Sequence, residues 1–349
     1  MLRIGVVGCG YWGEKHVRVL ASMPQVENVV AIDENAVALA RMSADYPQVA
    51  CRSSLGEALD LIDAVVVSTP PASHYPIAST AIRAGKHVFV EKPITVSVAE
   101  ADALIELAEA HGVALASGHT FVHNAGVHKL VELVESGELG HLRHISAARL
   151  NLGLYRDDVN VIWDLAAHDI SITLAIMGRT PDEVSAWGMR YNTSDTEDVA
   201  TVRMRYRAES VDSIIRVSWL DPLKVRTTTL VGSDKMAIYD DMAADERVKV
   251  LDRGLENIDD PGRDSMAHLA YRYGDISSPY IDFREPLLVQ AEDFVRACMT
   301  GERPTADGLA GRDVVAVLEA TDRSIMSEGQ LVPVAARIVS PELIGPMSR

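Results

Sequence analysis

The chain has 349 residues, enough at roughly 150 residues per domain for about two domains and a large core, which excludes a one-domain binding module. Hydrophobic residues at 48% and charged residues at 24% are those of an ordinary folded protein, and 33 basic against 50 acidic residues give a net charge of −17 with no Lys/Arg-rich block, so no nucleic-acid partner is expected. No apolar run nears the ~20 residues of a bilayer span and the N-terminus lacks a signal-peptide layout. Three scattered cysteines, Cys9, Cys51 and Cys298, build neither a disulfide framework nor a zinc site, so no membrane partner and a reducing, cytoplasmic location are expected.

From residue 2 to about 117, short β-rich runs alternate with helix-length segments. Strands are expected at 3–7, 29–33, 64–68, 87–90 and 113–116, with helices at 36–44, 74–84 and 98–111. The runs at 64–67 and 87–90 are apolar without alternation, as in strands covered on both faces, so this half reads as a doubly wound parallel sheet. After about Thr120 the pattern changes. A helix near 125–135, a strand at 144–150 and a helix at 163–177, stopped by Gly178, precede a series of strands at 201–207, 213–219, 226–231, 235–239 and 247–251. In the first of these Val202, Met204 and Tyr206 alternate with Thr and Arg residues, which predicts a mostly antiparallel sheet with one covered face. Residues 252–282 carry no clear pattern, and helices near 286–299 and 312–326 close the chain. The expected division is 1–120 and 121–349, with the last helices free to pack back on the first unit.

Gly8-Cys9-Gly10-Tyr11-Trp12-Gly13 is a G-x-G-x-x-G between an apolar strand and a helix running to about Ala21. Gly8 permits the tight turn, Gly10 the approach of a pyrophosphate and Gly13 close helix packing, while the helix N-terminus offers N–H groups to the phosphates. Asp33 ends the second strand, twenty residues after Gly13, where a carboxylate accepts from both ribose hydroxyls of NAD and repels the 2′-phosphate of NADP. With Glu34 and Asn35 next and no Arg beside it, NAD(H) is favoured and NADP(H) is the alternative. Two more strand ends share this edge: Ser68-Thr69-Pro70-Pro71 with His74, and Glu91-Lys92-Pro93. His74 reads equally well as a helix-start residue, whereas Lys92, ahead of Pro93 at the end of a buried strand, is aimed towards the cofactor edge.

Asp164 and His168 stand four residues apart, on one face of a helix. Oxidising a secondary alcohol removes a hydride and a hydroxyl proton, and histidine is suited to take the proton near neutral pH. Asp164 can orient the imidazole or grip a neighbouring hydroxyl, and Lys92 can stabilise the developing negative oxygen. The same spacing also describes a plain helix-surface pair. No H-x-H, H-E-x-x-H or Cys pair supplies a third metal ligand, so no metal is expected, and no G-x-S-x-G elbow exists for a serine triad.

The glycine turn, Thr69-Pro70 with His74, Glu91-Lys92-Pro93, Gly118-His119 and Asp164-x-x-x-His168 resemble, in order and spacing, the Gfo/Idh/MocA family of glucose–fructose oxidoreductase and inositol dehydrogenase-like enzymes. The resemblance extends through Glu285-Pro286 to Gly311-Arg312-Asp313-Val314-Val315. It implies a Rossmann domain followed by an α/β domain with a large open sheet that often forms a dimer or tetramer interface, and a catalytic set of Lys92, Asp164 and His168 with His168 as base. It also places Tyr11, Trp12, Ser68, Thr69, Pro70 and Glu91 near the cofactor and His119 near the substrate. Gly10-Tyr11-Trp12-Gly13 and the run from Tyr155 to Asp164 resemble the branch of surface-polysaccharide and natural-product sugar pathways, whose substrates are commonly nucleotide-linked sugars changed at C3. Arg156 and Asn160 lie in the loop before the Asp164 helix and are candidates for substrate contact, and Arg149 and Arg156 can meet a phosphate or carboxylate bidentately or be ordinary exposed arginines.

The expected function is hydride transfer between a nicotinamide cofactor and a secondary alcohol or ketone of a sugar, at C3 of a nucleotide-activated sugar. The alternatives are a free cyclitol or monosaccharide dehydrogenase and, from another class, a non-catalytic NAD-binding regulator. The expected assembly is a homodimer or homotetramer through the C-terminal sheet.

Overall fold

The computed structural model describes residues 1–153, 155, 159–192, 196–257 and 269–337. Its first half is a parallel sheet of β1 (Leu2–Val7), β2 (Val26–Ile32), β3 (Ala50–Arg52), β4 (Ala64–Val67), β5 (His87–Val90) and β6 (Leu115–Ser117), in the order β3-β2-β1-β4-β5-β6. The order reverses between β1 and β4, and it is at such a switch point that a doubly wound sheet opens a crevice at its carboxyl edge. β4 is buried along its whole length, which explains why it shows no alternation. The helices are α1 (Tyr11–Ala21), α2 (Ala36–Asp45), α3 (Leu55–Ala58), α4 (His74–Arg83) and α5 (Val98–His111). Their limits follow local chemistry. Asn35 accepts from Val37 N and Ala38 N to start α2, Ser97 accepts from Glu100 N to start α5, and Gly112 ends α5 at φ 64°. Two short elements, β3 and α3, were not foreseen.

The second half carries β7 (Leu142–Leu152), β8 (Glu183–Met189), β9 (Val199–Tyr206), β10 (Val211–Ser218), β11 (Leu220–Gly232), β12 (Met236–Asp240), β13 (Val248–Asn257), β14 (Leu269–Ser277) and β15 (Val332–Pro333). They stand in the order β14-β13-β12-β11-β7-β10-β9-β8-β15, and every adjacent pair is antiparallel except β7 with β10. Val202, Met204 and Tyr206 face inward and are fully buried. They join one core with residues of α6 (Ala125–Glu135) and α7 (Ala167–Met177). The closing helices, α8 (Pro286–Thr300) and α9 (Gly308–Met326), return to the first sheet: Leu287 and Phe294 enter the core of β1 and α1, and Val315 enters that of β4 and β5. On the neighbouring face of α9, Val314, Val317 and Leu318 belong to the core of the second sheet.

Several expectations change. The helix foreseen at 163–177 begins as a π-helical turn, Ile162–Ala166, before α7, so Asp164 and His168 belong to different helical segments. β8 was missed, and the unpatterned stretch 252–282 holds β14, while residues 258–268 within it lie outside the described residues. α9 starts a turn early because Asp307 accepts from Ala310 N. Among the described residues, no helix is long and apolar enough to cross a membrane.

Candidate active site

The glycine turn follows β1 as its spacing demands. Gly8 has φ +91°, and a Cβ on Gly13 would lie 1.7 Å from the Gly8 carbonyl oxygen. A Cβ on Gly10 would meet nothing within 4 Å, so the backbone there opens onto free space at the start of α1, and the helix has no side-chain cap on its first N–H groups. Room and unclaimed donors together suit a pyrophosphate. Ser68 Oγ donates to the Gly8 oxygen (2.8 Å) and braces the turn from β4. Asp33 lies against the same turn, with Oδ2 accepting from Cys9 N (2.6 Å) and Oδ1 from Asn35 N (2.8 Å). An arginine does stand near this edge: Arg41, on α2, donates from Nη2 to the Cys9 oxygen (2.9 Å), a neighbour that inspection of Asp33's flanking residues alone overlooks.

The next two strand ends are joined by side chains. The His74 ring bridges two loops, Nδ1 lying 2.8 Å from Pro93 O and Nε2 2.8 Å from Thr69 O, and burial lowers its pKa. Its place is therefore between the β4 and β5 loops. The Thr69 hydroxyl accepts from Ser73 Oγ, and Pro70 O accepts from Ser73 N, which sets the start of α4. Glu91 is buried and lies 2.7 Å from His16 Nε2 on α1, and it accepts from Lys92 N (3.1 Å). This contact ties the cofactor helix to the lysine loop. The Lys92–Pro93 peptide bond is cis.

Lys92 Nζ crosses to the second half, donating to the Asp164 backbone oxygen (2.7 Å) and to Asp164 Oδ1 (3.3 Å). Asp164 Oδ2 accepts from Trp219 Nε1 (3.2 Å), and Trp219, at the end of β10, is almost wholly buried. His168 stands one turn further on, edge-on to Phe121 at 5.2 Å. Its Nδ1 is buried with no hydrogen-bond partner among the described residues, so Asp164 does not orient the ring through that nitrogen. Burial first, then the neighbouring Lys92 and Arg149 charges, hold His168 well below the ordinary imidazole pKa of 6.5, leaving it neutral and able to accept a proton.

Lys92 and His168 line one cleft of about 460 Å³, with Tyr11, Trp12 and Glu91 at its cofactor side. Arg149 also borders it, but its guanidinium is buried in a two-bond pair with Asp169 (Nε to Oδ2 2.7 Å, Nη2 to Oδ1 3.2 Å) and lies over the Phe121 ring at 4.4 Å. The opposite wall brings Lys224 and Arg226 from β11, which sequence reasoning missed, and Arg226 pairs with Asp241 at 3.3 Å. Among the described residues the lining has five basic side chains and three acidic ones, the reverse of the whole chain's balance.

Other candidates lie elsewhere. Asn160 Oδ1 accepts from Ile162 N and Trp163 N, and its Nδ2 donates to Glu197, so its side chain caps the π turn. His119 is buried behind the cleft, and Arg156 lies outside the described residues. Among the described residues, no three His, Cys, Asp or Glu side chains gather as a metal site.

Comparison with known proteins identifies the fold and the family. Residues 2–119 match the oxidoreductase family, NAD-binding Rossmann fold, and residues 127–238 match the GFO/IDH/MocA C-terminal domain. The chain is 32% identical to the UDP-N-acetylglucosamine 3-dehydrogenase of Acidithiobacillus ferrooxidans over 90% of this chain and 94% of that protein. It is 24% identical to the myo-inositol 2-dehydrogenase of Thermotoga maritima over 93% and 96%. The crystal structure of GenD2 from gentamicin A biosynthesis, in complex with NAD, superposes with a TM-score of 0.80 at 25% identity, covering 96% of this chain and 97% of that one. The chain belongs to the Gfo/Idh/MocA family of NAD-binding oxidoreductases.

Proposed function

We propose that the protein is a dehydrogenase or ketoreductase acting at C3 of a nucleotide-linked sugar, with Lys92 and His168 at the reacting oxygen. The observation that carries the reading is the cleft itself, where a neutral histidine and a lysine face a wall with Lys224 and Arg226. A substrate hydroxyl in that cleft gives its proton to His168, while Lys92 donates to the same oxygen and stabilises its developing charge. Asp164 and Trp219 hold the lysine head in place. Bound at the glycine turn, NAD supplies the hydride acceptor, and by microscopic reversibility the same groups serve ketone reduction. Lys224 and Arg226 suit a phosphate-bearing substrate. The UDP-sugar relative supports the same class, and Asp33 beside the turn supports NAD over NADP.

The second reading, a free cyclitol dehydrogenase, rests on the inositol relative. NADH formation separates the two: turnover of UDP-N-acetylglucosamine is expected, and turnover of myo-inositol with none on UDP- or dTDP-sugars would overturn the proposal. The division near residue 120 and association through the nine-stranded sheet belong to the same proposal. Alternate residues of β9 are only half buried on the sheet face opposite its core, which leaves that face available to a second copy. The free Cys9, Cys51 and Cys298 fit a cytoplasmic setting.

A further inference from the structure

The buried histidines of this protein differ in one respect. His74 has a carbonyl at each ring nitrogen, and His16 has Glu91. His119 is 1% exposed, yet both of its ring nitrogens are buried with no partner among the described residues, and the same holds for Nδ1 of His168. A buried imidazole kept only for packing would lose stability by carrying two unsatisfied nitrogens, and such groups in folded proteins are commonly bridged by bound water.

The surroundings supply a route. His119 precedes the turn Thr120–His123, which packs on α7 and sets Phe121 edge-on to the His168 ring at 5.2 Å. It also lines a second cavity, of about 270 Å³, further along α7 on the face that carries His168. That cavity is bordered by Ser171, one turn beyond His168, and by Ala175, Asp313 and Arg337. The charged and titratable groups around the two rings are Glu91, Lys92 and His123 at His119, and Lys92, Arg149 and Arg226 at His168. A proton gained by His168 therefore sits among cations and must leave before the next turnover, while bound cofactor and substrate fill the front of the cleft.

We propose that His119 is a relay residue in a rear proton path, in which a bound water links His168 Nδ1 to the His119 ring and His119 passes the proton to the cavity lined by Ser171, Asp313 and Arg337. This rests on the assignment of His168 as the base. In the oxidation direction the substrate O–H bond breaks and its proton joins His168 Nε2, while the C–H electron pair leaves as hydride to the nicotinamide. The proton on His168 Nδ1 then moves to the water, whose own proton goes to one His119 nitrogen as the other releases its proton to the rear cavity. Each imidazole is left neutral with its one proton on the opposite nitrogen, so both rings return to their first tautomer before the next turnover, and reduction runs the path inward.

A crystal structure of the protein should show a water within hydrogen-bond distance of both His168 Nδ1 and a His119 nitrogen. Direct protein partners for both rings, with no such water, would overturn the path. With UDP-N-acetylglucosamine and NAD, His119→Phe should lower kcat roughly 10- to 100-fold with KM little changed, and raise the solvent deuterium isotope effect on kcat. Ala175→Trp, which fills the rear cavity and leaves both histidines in the sequence, should do the same if His119→Phe fails to fold. His168→Asn separates the two levels. If it retains turnover, the base assignment and the path fall together. If it is inactive while His119→Phe and Ala175→Trp keep the original kcat and isotope effect, the path alone falls.

Discussion

On the cofactor side of the cleft, Gly8, Gly10, Gly13 and Asp33 are set by one strand–turn–helix unit and the strand that follows it, and the key contact, Asp33 to Cys9 N, joins adjacent strands. On the substrate side, Lys92 comes from the loop after β5, Asp164 from a π-helical turn, His168 from α7 and Trp219 from the end of β10. The first kind of site is built by local backbone geometry, so that bulk added at one glycine disturbs it. The second is built by side chains meeting across two sheets, and it has room for changes of chemistry while the cofactor cradle is kept.

The two sides should therefore fail separately. Under the proposed mechanism, His168→Asn or Lys92→Ala should cut turnover by about 10²- to 10⁴-fold while NAD titration stays near that of the parent protein. Loss of NAD binding in step with turnover would show that the sides are one unit. Acidification should act next, through the seam between them. Burial first of all lowers His119 from 6.5 to about 4. The unfolded chain thus binds a proton at this site through a range in which the folded chain does not, and stability present above pH 6.5 is lost as pH falls towards 4. The loss from this residue is on the order of 3 kcal/mol. Chemical denaturation at pH 7 and pH 4.5 measures it, and a His119→Phe protein whose stability falls just as steeply would assign the loss to other groups. The smallest effect should come from Gly13→Ala, whose added carbon would stand 1.7 Å from the Gly8 oxygen. Relaxation of the turn should weaken NAD binding by roughly tenfold or more, at a cost of about 1 to 2 kcal/mol, with the substrate-side contacts unchanged. Isothermal titration with NAD reports it, and unaltered affinity would show that the turn yields.

What was legible in the sequence follows the same division. The glycine turn, Asp33 and the limits of α2, α5 and α6 are written in neighbouring residues, with Asn35, Ser97 and Asn124 as caps. The three-residue β3 and the π turn at Ile162–Ala166 are not, because the first is too short for periodicity to register and the second depends on how its ends are held. Asn160 offered a signal that was available: an asparagine ahead of an apolar helical run is a capping residue, and the structure uses it so. The meetings of Trp219 with Asp164 and of His16 with Glu91 had no such signal, since each joins side chains far apart in the chain through tertiary packing alone.

The tryptophan pattern has an optical consequence. Trp219 is sealed from solvent with its indole N–H on Asp164, whereas Trp12, 39% exposed, stands at the mouth of the cleft beside the glycine turn. Emission from the first is expected at shorter wavelength than from the second, so in a protein whose other two tryptophans, Trp163 and Trp187, are replaced by Phe these two report separately on its two binding events. Dinucleotide alone should quench the redder band, and a sugar engaging Lys92 should disturb the bluer one, which would allow the order of binding to be read by stopped flow without a label.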